Sequence, residues 1–191
     1  MAGLAILGLN GAGKSTLAHA LARALGYFEL DGEDYFFPRQ REDRRWALDH
    51  GGVGLPGNRE PLPFAHPVAK EEAAAALLRD ARAHPDFVLS SVRLSWGPEV
   101  NALLGLAVVL ETPGEERQRR LQSREEKRFG PRVLPGGDLA AQQAEFRAQC
   151  AARTPAEIEE SLQGLACPVL HLDGTRPVAE NLEKIRRMLH E

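Results

Sequence analysis

Short apolar runs alternate along the chain with longer stretches in which apolar residues return every three or four positions. Five runs read as strands: "LAILG" at 4–8, "YFEL" at 27–30, "FVLSSV" at 87–92, "LAVVLE" at 106–111 and "PVLHL" at 168–172. They are apolar almost throughout, as strands covered on both faces are. Between them the period lengthens. Leu17, Leu21 and Leu25 share one face of a predicted helix over 14–25. "AKEEAAAALLRDARA" at 69–83 is rich in strong helix formers and stops before Pro85. Further helices are predicted over 113–128, with Pro113 near the first turn, and over 138–152, 155–165 and 178–190. Residues 38–66 show no period and read as irregular, and 129–137 reads as a loop. This order predicts an α/β fold of three layers, a five-stranded parallel sheet with helices on both faces. No repeat or linker divides it, so 1–191 reads as one domain.

Composition adds exclusions. Of 191 residues, 43% are hydrophobic and 27% charged, an ordinary globular balance. The net charge of −3 offers no basic field for nucleic acid. Cys150 and Cys167 form no disulfide framework and no metal-ligand spacing, which favours a reducing, cytoplasmic setting. No basic leader precedes the first apolar run, and no run approaches the ~20 residues of a membrane span. A monomer or homodimer with no nucleic-acid or membrane partner is expected.

The chemistry begins where the first strand ends. "GLNGAGKS" at 8–15 fits G-x-x-x-x-G-K-[ST] between an apolar strand and an amphipathic helix, the context the motif requires. Glycines let backbone N–H groups converge on a phosphate, and the following helix adds its positive end. Asn10, Gly11, Ala12, Gly13, Lys14, Ser15 and Thr16 are therefore the expected phosphate cradle of ATP or another nucleoside triphosphate. Lys14 would reach the β- and γ-phosphates, and the Ser15 hydroxyl would hold Mg²⁺. The chain has only 4 lysines against 20 arginines, so a lysine here is not a matter of composition.

A P-loop alone leaves several functions open. The GTPase motif N-K-x-D and an "LSGG" signature are both missing from the sequence. "VVLETPGEERQRRLQSREEKRFG", with arginines at 117, 120, 124 and 128 on one helical face, resembles the adenylate-kinase-like group of P-loop nucleoside, nucleotide and small-metabolite kinases. The resemblance implies a lid over 124–138. Arg124 and Arg128 would clamp the transferring phosphate, Arg120 would stand beside the nucleotide, and Arg153 would return from the lid. A planar guanidinium fork suits phosphate oxygens. Arg117 and Arg119 read instead as a solvated helix face. "HLDGTRPVAEN" resembles the last strand and adenine-side turn of the group, which places Gly174 and Thr175 near the base.

Many members of that group carry an Asp at the end of the third strand for Mg²⁺. This chain has Ser90 and Ser91 there. "FELDGEDYFFP" at 28–38 supplies acids one strand earlier, and strand ends are where parallel sheets bind ligands. The stretch resembles shikimate- and gluconate-type kinases in its "D-x-x-D", and uridine and nicotinamide riboside kinases in "EDYFFP". Asp31 is thus expected to complete the Mg²⁺ shell, and Asp34 to orient the acceptor hydroxyl. Residues 38–66, with Arg39, Arg41, Arg44, Arg45 and Arg59, would form the acceptor-binding insert, Trp46 packing in the core. Arg93, just past the third strand, is a further candidate on that rim. The function implied is transfer of the ATP γ-phosphate to a small metabolite: a nucleoside, nucleotide or similar hydroxyl- or phosphate-bearing compound. The alternative is a nucleotide-dependent regulatory or binding module with slow ATP hydrolysis.

Overall fold

A computed structural model describes residues 2–57 and 66–190. Arg59, one arginine of the expected insert, lies outside the described residues. Five strands form one sheet: β1 (Gly3–Leu7), β2 (Phe28–Asp31), β3 (Phe87–Ser91), β4 (Leu104–Glu111) and β5 (Val169–Asp173). All pair in parallel in the order β2-β3-β1-β4-β5. The inner runs become strands because both sheet faces are covered there, and β1 is buried at every position; β5, at the edge, is buried only at Leu172. One core, containing Leu30, Leu77, Leu89, Trp96 and Val109, lies under α4 (Lys70–Ala83) and α5 (Pro98–Asn101). The other, containing Ile6, Leu17, Leu21, Val108 and Ile185, lies under α1 (Lys14–Leu25) and α9 (Val178–His190). Burying each such leucine contributes about 1.5–3 kcal/mol, which favours the helical period of α1 over other conformations.

Register positions the site. Asp31, the last residue of β2, pairs with Ser90 of β3, and Leu7 of β1 pairs with Ser91. The carboxyl ends of these three strands therefore share one edge.

Residues 38–66 are not irregular throughout. The chain leaves β2 directly into α2 (Gly32–Phe36), then a 3₁₀ turn at Pro38–Gln40 and α3 (Arg41–Asp49). Ion pairs fix α3: Asp49 meets His19 and Arg23 of α1 at 3.3 and 3.2 Å. The predicted loop 129–137 holds a 3₁₀ turn at Gly130–Val133 after α6 (Gly114–Phe129). The chain then forms α7 (Ala140–Ala152) and α8 (Ala156–Leu162). Trp46 is not a core residue; it stacks on His50 at 3.6 Å. The buried indole is Trp96, 5% exposed. No described helix is long and apolar enough to cross a membrane.

Candidate active site

The loop between β1 and α1 turns through left-handed backbone at Gly11 (φ 82°) and Gly13 (φ 101°), conformations that side chains strain. A side chain at Gly11 would also meet the carbonyl oxygen of Arg117 at 2.5 Å. The loop is braced from behind. Arg117 donates to the Asn10 carbonyl at 3.2 Å, and Arg153 donates to Asn10 Oδ1 at 3.0 Å. Arg120 donates to the carbonyls of Ala12 and Gly174 at 3.1 and 3.0 Å, and Thr112 Oγ1 also donates to Ala12. Arg117 is therefore buried, not solvated as its spacing suggests. Arg119 does lie on the surface, paired with Glu116.

Two chambers open on the loop. The first, about 570 Å³, is walled by Phe36, Phe37, Trp96, Arg93 and, on α7, Gln142 and Phe146. The second, about 440 Å³, is walled by Gly13, Thr16, Arg44, Arg120, Lys127 and Arg128. Gly11, Lys14, Ser15, Asp31, Glu33 and Arg124 line both. Asn10 and Arg153 line the first. Ala12 is fully buried and Gly174 lines neither; a side chain at Gly174 would meet Thr112 Oγ1 at 2.0 Å.

Lys14 is held by the Leu9 carbonyl at 3.3 Å. Burial draws its ammonium below the ordinary lysine range, against the opposing pull of Glu33 and Asp31. Asp31 Oδ2 accepts hydrogen bonds from Ser15 at 2.8 Å and from Ser90 at 2.9 Å. The serine in place of a β3 carboxylate thus supports one on β2. Burial, then Glu33, raises the Asp31 carboxyl above the usual range, so a cation beside it would relieve the site. Among the described residues no group of three or more His, Cys, Asp or Glu could hold a metal by itself. Magnesium needs no such cage, because it takes one or two carboxylates with phosphate and water oxygens. The hydroxyl of Ser15 and the carboxylate of Asp31 fit that hard-oxygen requirement.

Asp34 departs from its expected place. It lines neither chamber and is 4% exposed. Arg44 donates to its Oδ1 through Nη2 at 2.5 Å and Nε at 3.0 Å. Arg45 Nε and Arg41 Nε lie 3.2 and 3.5 Å from Oδ2. Of the two acids that follow Asp31, the one that lines the chambers is Glu33. Asp31 caps α2 by accepting from the Glu33 N–H at 2.9 Å, which sets the helix phase. The next residue is rotated about 100° away, toward α3. Burial alone would raise Glu33, but Arg44, Arg124, Lys14 and Arg128 together hold its carboxyl below the usual range. An Asp at a strand end followed by further acids is an N-cap signature; it signals a helix start here, while the choice of Glu33 over Asp34 comes from the capping bond.

The insert is also placed differently. Its described part, through Arg44, Ala47, Leu48, Gly51 and Gly52, lines the second chamber and not the first. Residues of α7 and of the segment after β3 line the first. Arg124 lines both chambers, while Arg128 of α6 is tied to Asp43 of α3 at 2.5 Å.

Comparisons agree with this architecture. An uncharacterized protein, YqaC, of Bacillus subtilis (strain 168) is 28% identical over 94% of this chain and 93% of its own. Deoxyadenosine kinase from M. mycoides, solved with bound dATP, superposes with a TM-score of 0.55 at 16% identity, covering 99% of this chain and 100% of that one. A gluconokinase from Sinorhizobium meliloti gives 0.51 at 16% identity over 99% and 95%. Shikimate kinase from Acinetobacter baumannii, in complex with shikimate, gives 0.50 at 18% identity over 99% and 93%. These likenesses establish the P-loop kinase fold. A family model described as an AAA domain matches residues 4–136, most of the chain and all of the glycine loop, β2, α2 and α6 described above: the protein belongs to that AAA domain family.

Proposed function

We propose that the chain transfers the γ-phosphate of Mg·ATP to a small acceptor held in the first chamber: a nucleoside, nucleotide or similar hydroxyl- or phosphate-bearing metabolite. One observation carries the reading. The P-loop lysine, two acids and a lid arginine stand on the wall common to both chambers, where a donor phosphate and an acceptor would meet. A module that only binds nucleotide needs no second chamber there. The fold shared with sugar-acid, shikimate and nucleoside kinases supports small acceptors.

Phosphoryl transfer asks mainly for positioning and charge stabilisation. Lys14 and Arg124 supply positive charge to the moving phosphate, and Glu33 orients the acceptor hydroxyl by accepting its hydrogen bond. Ser15 and Asp31 would hold Mg²⁺, which when bound neutralises charge on the phosphate oxygens. The low-cysteine composition suits the cytoplasm. A metabolite panel followed by ADP release should show one acceptor-dependent activity; ATP turnover that no acceptor stimulates would refute the proposal.

Two variants test individual roles. Asp31→Asn retains an N-cap for α2, since asparagine caps as well as aspartate. It is expected to move the Mg²⁺ dependence of turnover to higher concentration, and an unmoved Mg²⁺ titration would place the metal's carboxylate elsewhere. Arg124→Ala is expected to lower kcat on the order of 10²-fold or more, with nucleotide affinity changed far less. Equal losses in both would make Arg124 a ground-state ligand instead.

A further inference from the structure

Asp34 draws in three guanidiniums, those of Arg41, Arg44 and Arg45. Even with Glu33 3.9 Å from Arg44, two carboxylates face three cations here, beside the second chamber. Arg41 and Arg45 are 39% and 44% exposed, so water accounts for them. Arg44 is different. Its side chain is 10% exposed, it lines the second chamber, and Nε and Nη2 are both committed to Asp34. Its Nη1 is shielded from water and has no hydrogen-bond partner among the described residues. The nearest carboxylate oxygen on that edge, Glu33 Oε2, stands 3.9 Å away, beyond hydrogen-bonding reach. A buried charged donor left unpaired is costly, and a folded chain keeps one where a ligand completes it.

We propose that Arg44 is a ligand of the terminal phosphate of the bound nucleotide, with Asp34 as the residue that positions it. This deepens the phosphotransfer reading and rests on it. The chamber that Arg44 lines is the one shared by Gly13, Thr16, Arg120 and Arg128, the nucleotide side of the loop. Arg44 does not line the first chamber. Asp34 holds two of the three guanidinium nitrogens from outside the chamber, so the third presents a fixed edge to a phosphate oxygen. The α3 helix thereby reaches the donor side of the reaction. Lysine would not reproduce this, because one ammonium on a flexible stem cannot hold Asp34 and a phosphate in the same geometry.

The test compares two probes in the presence of Mg²⁺: the β,γ-imido analogue of ATP, which carries the terminal phosphate without transferring it, and ADP, which lacks it. Calorimetric titration of Arg44→Lys, which keeps the charge and disturbs folding least, should show the analogue bound about tenfold more weakly than in the native chain, with ADP unchanged. Arg45→Ala removes another partner of Asp34 from the solvent side and should alter neither probe. Parallel losses for analogue and ADP would overturn the proposal, as would an equal loss of the analogue in Arg45→Ala. A native chain that binds both probes with no effect of Arg44→Lys overturns this inference alone. A native chain that binds neither overturns the phosphotransfer reading with it.

Discussion

Lys14→Ala is expected to abolish measurable phosphoryl transfer, with a loss on the order of 10³-fold or more, and to weaken binding of a nucleoside triphosphate. Lys14 stands on the wall common to both chambers and is the only lysine of the P-loop. Its ammonium is kept inside the protein at some cost, because burial disfavours its charge while Glu33 and Asp31 stabilise it. Alanine leaves those two carboxylates without their nearest lysine and the phosphates without a cation. Turnover and equilibrium binding of ATP, measured on the same preparation, check the result. A variant with native turnover and native affinity would remove the P-loop assignment and everything built on it.

The second large effect is expected at Glu33. Glu33→Gln keeps the size of the side chain and its ability to accept one hydrogen bond, but removes the negative charge that faces the acceptor. Transfer should fall by about 10²-fold or more, with Mg·ATP affinity near native. Asp34→Asn should give the opposite pattern, since Asp34 lies outside both chambers and acts through Arg44. Its effect should be smaller and should fall on nucleotide affinity. Steady-state kinetics in acceptor and ATP separate the two. A Glu33→Gln enzyme with native acceptor kinetics, beside an Asp34→Asn enzyme that has lost transfer, would reverse the assignment.

That reversal is the one the amino-acid sequence invites, for a physical reason. In "LDGED" either acid after Asp31 can face the strand edge until the helix phase is known. The phase comes from a single capping hydrogen bond, 2.9 Å long, between Asp31 and the Glu33 N–H. The five strands are legible to within about two residues at each end: the inner runs β1, β3 and β4 are apolar and largely buried, and the edge strand β5 still packs Leu170 and Leu172 on the core. The P-loop is legible because its requirements are local: left-handed glycines, a lysine, and a helix start. The helix α3 is hidden for the opposite reason. "REDRRWALD" is mostly charged, its apolar residues Trp46, Ala47 and Leu48 stand together, and contacts such as Asp49 with His19 and Arg23 hold it in place from distant parts of the chain. Arg117 is likewise unreadable in advance. A buried arginine bracing the loop and a solvated arginine two residues on, Arg119, look alike until the carbonyl of Asn10 is placed beside one of them.

The bond between Arg128 and Asp43 has a consequence for release. Both side chains are largely withdrawn from solvent, 11% and 5% exposed, and Asp43 also accepts from the Leu55 N–H at 2.7 Å. A side chain at Gly54 would meet the carbonyl of Arg128 at 2.6 Å, so the backbones of the insert and the lid helix are in close contact. On the phosphotransfer reading proposed above, the end of α6 could part from α3 only by breaking this clasp, which unpairs Arg128. Letting go of product would then be one cooperative opening of two segments far apart in the sequence. A change as remote from the phosphate loop as Gly54→Ala would be expected to alter the pace of turnover without touching a reacting atom.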